Sequence, residues 1–217
     1  VKMNGAAFQV TNCLVVRGTL ALFATVQQGP TVPSDFLSDP AQPEGTDCAT
    51  VAAGFTPRIC GPGRLVVASG GEVTASNEYA SLFISGLVQA GGSLVMKTSS
   101  FYWGNITVQG VFSATHYAYA HGYLNCLPGG RLTLNTLWYD KWSTTFVATT
   151  APLLINNQGG TVEFGSDQFN TNSEFGGTYR ALLVNRGNTY FYSIGGGMIA
   201  TAFIAGMEFD MFNFGVI

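Results

Sequence analysis

The chain has 217 residues, 47% of them apolar and only 10% charged, with 28 glycines and a net charge of −3. That is long enough to bury a continuous core and too apolar for a disordered chain. Its nine basic and twelve acidic residues are scattered singly, which excludes a basic stripe for nucleic acid, and the most apolar run, Met198 to Met207, reaches about half the length needed to span a bilayer.

Glycine with many Thr, Ser and Asn supplies turns rather than helices, so an all-β chain is expected, read as one domain over residues 1–217. Phe8 and Val10 open a first strand pair, followed by Leu14-Val15-Val16-Arg17-Gly18-Thr19-Leu20-Ala21-Leu22-Phe23, an apolar triplet, a glycine and an alternating exit. Residues 30–62 differ. Six of the eight prolines and the acids Asp35, Asp39, Glu44 and Asp47 lie there, a composition that removes backbone donors and predicts a long surface excursion. This segment, with Phe36 and Leu37, is expected to contact another subunit.

From Gly63 short apolar runs resume, bounded by glycines, through Leu65-Val66-Val67, Leu82-Phe83-Ile84 and Leu94-Val95-Met96. Phe101-Tyr102-Trp103 then starts an aromatic stretch. Tyr117, Tyr119, His121 and Tyr123 follow at a period of two, which places them on one face of a strand. With Trp138 and Trp142 they form a candidate aromatic platform for a sugar ring or a protein surface. Two further segments repeat one phrase, Leu153-Leu154-Ile155-Asn156-Asn157-Gln158-Gly159-Gly160-Thr161-Val162-Glu163-Phe164 and Leu182-Leu183-Val184-Asn185-Arg186-Gly187-Asn188-Thr189-Tyr190-Phe191-Tyr192: a strand, an Asn/Gly corner and a second strand.

The exit half of that phrase, Gly-x-apolar-x-apolar, fits at Gly18, Gly63, Gly92, Gly104, Gly130 and Gly160, loosely at Gly71, and with Asn188 in place of Gly. Its spacing predicts stacked units of roughly 28 to 30 residues with some intervals lengthened by insertions, and a left-handed backbone at Gly160. From Gly195 the phrase is expected to stop. The Met- and Phe-rich residues 195–217, including Met207, Phe209, Met211, Phe212 and Phe214, read as a cap or a subunit contact.

Candidate chemistry is sparse. Glu208 and Asp210 share a strand face by spacing and Glu163 lies in the repeat, yet no two acids occupy equivalent positions of adjacent units, so no carboxylate pair is expected. His116 and His121 have no spacing that selects them as bases. Cys13, Cys48, Cys60 and Cys126 form no CxxC pair and have no His at ligand spacing, so no metal is expected; buried free thiols are favoured over a Cys48–Cys60 bridge. No catalytic residue and no cofactor is assigned.

On the segments Leu14 to Phe23, Leu153 to Phe164 and Leu182 to Tyr192, about two thirds of the chain resembles the right-handed parallel β-helix repeats of phage tailspikes, viral fibres, capsid appendages and bacterial surface adhesins. The resemblance implies a parallel solenoid with a structural or attachment role, commonly as a trimer or within a larger assembly, and carries over no catalytic motif. A jelly-roll sandwich is the architectural rival. The expected function is that of a non-enzymatic virion structural or decoration protein that assembles with copies of itself or with other structural proteins. The alternatives are a glycan-binding adhesin or fibre at an extracellular surface, favoured by the aromatic face, and a polysaccharide-degrading enzyme, disfavoured by the scattered acids.

Overall fold

A computed structural model describes residues 1–4, 7–23, 57–75, 81–96, 100–114, 118–134, 153–166, 180–193 and 208–217, and these contain strands and turns but no helix. In chain order the strands are β1 (Lys2–Asn4), β2 (Ala7–Gln9), β3 (Cys13–Val16), β4 (Thr19–Phe23), β5 (Arg58–Val67), β6 (Glu72–Ala75), β7 (Ser81–Val88), β8 (Ser93–Met96) and β9 (Ser100–Val108). They continue as β10 (Val111–Ala114), β11 (Ala118–Cys126), β12 (Arg131–Leu134), β13 (Leu153–Asn157), β14 (Thr161–Ser166), β15 (Arg180–Asn185), β16 (Asn188–Ser193) and β17 (Glu208–Asn213).

From β3 onward, successive strands alternate between two sheets. The first sheet runs β1-β4-β6-β8-β10-β12-β14-β16; the second runs β17-β15-β13-β11-β9-β7-β5-β2, with β3 also paired to β5. Every pairing between these strands is parallel, and Leu132, Val162 and Thr189 lie in register across β12, β14 and β16. The antiparallel ladders of a jelly roll do not occur among the described strands.

The core is a set of columns. In the first sheet Val73, Leu94, Phe112, Leu132 and Val162 occupy one register column and are all buried. In the second sheet Val16, Val67, Val88, Val108 and Cys126 form another. The inward side chains of both sheets join in a single cluster, so the sheets share one core. Each fully buried Val or Leu contributes about 1.5–3 kcal/mol relative to exposure, and the alternation buried/half-buried along β6, β8 and β12 delivers one such residue per two positions.

A column of glycines binds the corners between β5 and β6, β7 and β8, and their successors. Gly71, Gly92, Gly110 and Gly130 recur at intervals of about 20 residues, then Gly160, Gly187 and Gly215 at wider ones. The carbonyls of Gly71, Gly92, Gly110, Gly130, Gly160 and Gly187 accept from Ser93, Val111, Arg131, Thr161, Asn188 and Val216 N–H, at 2.8–3.0 Å. The backbones approach so closely that a Cβ on Gly130 would overlap the Val108 carbonyl, and one on Gly160 would meet Cys126 Sγ and lie 2.6 Å from the Leu127 carbonyl.

These corners correct the sequence reading in three ways. The wider intervals fall where the chain between consecutive strands is longest, as from Leu134 to Leu153 and from Ser166 to Arg180, so the shorter spacing is basic and 28 to 30 is the lengthened one. Gly63 and Gly104 stand inside β5 and β9, not at corners, Gly110 is a corner the pattern passed over, and Gly187, not Asn188, takes the corner-glycine place in its repeat. The left-handed residue is Gly159, with φ +117°, and Gly160 is required for close approach instead. In addition, β5 begins at Arg58, so residues 58–62 of the expected excursion are sheet. The rest of that excursion, with Phe36 and Leu37, lies outside the described residues.

Replacing Gly130 by Ala should destabilise the protein by about 1–3 kcal/mol through overpacking. Gly18→Ala, where nothing lies within 4 Å of the added carbon, should leave the melting temperature within a degree or so of the parent. Equal melting temperatures for the two variants would refute the stacked-corner account.

Candidate functional site

The outward face of the second sheet is polar in its middle. Leu87, Thr107, Asn125, Asn156 and Val184 lie in one register row, and Asn105 lies beside Tyr123 in the neighbouring row. Asn156 Nδ2 donates to Tyr123 Oη at 2.8 Å and to Asn125 Oδ1 at 3.3 Å, and Gln158 Nε2 donates to Asn125 Oδ1 at 2.9 Å. Arg186 reaches Asn156 Oδ1 at 3.4 Å, and its guanidinium sits 5.4 Å from the ring centre of Phe214.

Next to this row the sheet is notched. The register of β5 against β7 shifts between Cys60 and Arg64. Pro62 sits at the irregularity, where a strand proline is tolerated, and Gly61 has φ +117°. Val10 N–H donates to the Cys60 carbonyl, while Gly63 and Arg64 N–H donate to the carbonyls of Val10 and Asn12. A Cβ on Gly63 would lie 2.6 Å from the Asn12 carbonyl, so the notch depends on glycine. The result is an open groove of about 480 Å³ lined by Thr11, Asn12, Arg64, Ser85, Asn105 and Thr107 among others.

The last unit carries a second feature. The column Val16 to Cys126 changes chemistry at β13 and continues as Asn157, Asn185 and Asn213. Asn157 Nδ2 donates to Asn185 Oδ1 and Asn185 Nδ2 to Asn213 Oδ1, both at 2.8 Å. The same amides donate to the carbonyls of Asn188 and Val216, and each Oδ1 accepts the N–H two residues on, at Gly159, Gly187 and Gly215. Asn157 and Asn185 are fully buried, whereas Asn213 is exposed with Phe212, Phe214, Val216 and Ile217 around it. The C-terminal residues therefore continue the Asn-x-Gly phrase, against the expectation that it stops at Gly195; Asn213-Phe214-Gly215 was the available signal.

Other predicted residues resolve as follows. Tyr123 is half-buried on the outward face. Tyr119 and His121 lie on the same strand, opposite Phe101 and Trp103 in β9; Tyr117, Trp138 and Trp142 lie outside the described residues, as do His116 and Met207. Phe209 and Met211 are in β17, opposite Ala181 and Leu183. Glu163 is buried and held by Arg131 through two hydrogen bonds of 2.7 and 2.8 Å and by Thr133 Oγ1 at 3.0 Å, a clamp between β12 and β14. Its acceptor positions are thus occupied by structural partners.

Cys60 is disulfide-bonded, which corrects the preference for a free thiol there, while Cys13 and Cys126 are free. Burial pushes the Cys126 thiol up to about 11, and the protonated Sγ donates to the Thr161 carbonyl at 3.6 Å. Among the described residues no group of three His, Cys, Asp or Glu is placed to hold a metal, and no helix is long and apolar enough to cross a membrane. Comparison with protein-family models, curated proteins and solved structures finds no match.

Two outcomes test the buried polar column. Asn185→Leu removes four hydrogen bonds and leaves one Asn157 amide hydrogen without its acceptor, and should cost about 2–4 kcal/mol in urea unfolding, where Asn125→Ala on the outer face should cost under about 1 kcal/mol. Thr189 is buried in the Val162 column, and its hydroxyl has no partner among the described residues, so Thr189→Val should raise stability by about 1 kcal/mol, read as a higher melting temperature.

Proposed function

We propose that this chain is a non-enzymatic structural protein, a parallel β-helix of the virion-appendage kind, that assembles through the ends of its stacked sheets. The observation that carries the reading is the C-terminal unit. There the side of β17 that pairs with no described strand meets four exposed apolar side chains, with Phe214 at 70% exposure. Unpaired strand edges and contiguous exposed apolar groups are surfaces that a partner covers. The N-terminal end is similar, with Phe8, Val15 and Phe23 exposed beside an apolar hollow lined by Met3 and Leu14.

The two ends do not match each other. Val16 stands in the column position that Asn213 occupies at the far end. Stacking one copy's N-terminal unit on another's C-terminal unit would bury the Asn213 amide against valine, at a cost of about 1–3 kcal/mol for the lost hydrogen bond. Open head-to-tail filaments are thereby disfavoured. A closed oligomer, or a different structural protein offering an amide, suits the C-terminal end better.

Sedimentation velocity should show concentration-dependent oligomers for the parent chain. The Phe212→Lys/Phe214→Lys variant should sediment as a monomer with an unchanged β-sheet circular dichroism spectrum. A parent chain that remains monomeric at every concentration, and binds no structural partner, would overturn the reading.

A further inference from the structure

We propose that the groove beside Arg64 is a binding site for an acidic oligosaccharide, with Arg64 taking a sugar carboxylate. The groove is a built feature. It exists because β5 shifts register between Cys60 and Arg64, and that shift requires glycine at 61 and 63 against the backbone of Val10 and Asn12. Irregularities of this kind re-aim side chains next to binding sites. A volume of about 480 Å³ falls within the range of small-ligand sites.

The lining selects the ligand. Thr11, Ser85 and Thr107 offer hydroxyls and Asn12 offers an amide, groups that both donate and accept as sugar hydroxyls require. No acidic residue is among the described residues that line the groove. The exposed Arg64 guanidinium makes no hydrogen bond or ion pair to another described residue, so its planar fork is available to a carboxylate in a bidentate pair. One guanidinium, without a helix terminus or a second cation, suits a carboxylate better than a multiply charged phosphate.

The position argues for a saccharide over an acidic peptide. The groove lies on the face of the second sheet, where the backbone of β5, β7 and β9 is already paired on both sides, so an added peptide strand finds no ladder to join. Side-chain hydroxyls and amides remain, and they continue along the face. Asn105 is opposite Tyr123, whose hydroxyl is held by Asn156. From Arg64 on β5 to Tyr123 on β11 is three strand spacings, about 14 Å, room for a short oligosaccharide whose far ring stacks on Tyr123.

The groove shares no lining residue with the apolar hollow at the N-terminal end, and its test is separate from that of assembly. Isothermal titration of the full chain with a galacturonate oligomer should show binding that weakens with salt. A neutral galactose oligomer of the same length, a sulfated one and poly-aspartate should bind at least tenfold more weakly. Arg64→Gln should lose tenfold or more in affinity at an unchanged melting temperature, Arg64→Lys should fall between, and Tyr123→Ala should weaken the longer oligomers more than a single uronate. Absence of binding by the parent, equal binding of the neutral, sulfated or peptide polymer, or an Arg64→Gln variant that binds like the parent would each overturn the proposal.

Discussion

Backbone-to-backbone contact at the glycine corners sets the geometry that everything else in this protein follows. At each corner the carbonyl of one glycine receives an N–H from the unit above, and the space where a side chain would begin is filled by the neighbouring main chain. Parallel strands need this because their hydrogen bonds do not close locally: each strand is completed only by the unit before and the unit after it. Once the corners are stacked, the residues two and four positions beyond them fall into register, and inward columns such as Val73 to Val162 form without further specification.

The corners are built by two different devices along the chain. At Ala68–Gly71, Gln89–Gly92 and Leu127–Gly130 the fourth residue's N–H closes a turn on the first residue's carbonyl, with a left-handed glycine in third place. Leu127-Pro128-Gly129-Gly130 is the clearest case, proline presetting the second position. From β13 onward the asparagine side chain takes over that closure, accepting the N–H two residues on and linking to the asparagine above. A buried amide ladder is tolerated because Asn185 is satisfied on every polar atom, which leaves no desolvated group unpaired.

That exchange of valine for asparagine gives the molecule a direction. One end of the column is apolar and the other carries an amide with an exposed, unextended end, so the proposed assembly surfaces have different chemistry although the strands are alike. The outward faces are independent of this direction. They need only alternate with the core, so the second sheet can carry a polar band at Asn105, Tyr123, Asn125 and Asn156 without cost to the columns behind it.

How much of this was legible beforehand depends on the range of the interaction involved. The all-β class, the recurrence and the parallel pairing of β12, β14 and β16 follow from local signals: alternation at period two, Asn and Gly at corners, and apolar triplets at Leu14, Leu153 and Leu182. The phrase also identified Asn157 and Asn185 as corner residues, since their turn closes within two positions. Gly63 and Gly104 were misassigned and Gly110 was passed over because a glycine followed by alternating apolar residues looks the same at a bulge, within a strand or at a corner; which it is depends on the backbone lying against it. Val10 and Asn12 decide that for Gly63, and Gln89 and Gly92 for Gly110. The groove beside Arg64 was invisible for the same reason, its walls coming from strands β5, β7 and β9 and from residues 11 and 12. Sequence alone determined the strand class and the local turn chemistry, which are set by neighbours along the chain. The tertiary structure alone decided the true spacing, the burial of the asparagine ladder and the shape of the groove, because each arises where one unit rests on the next.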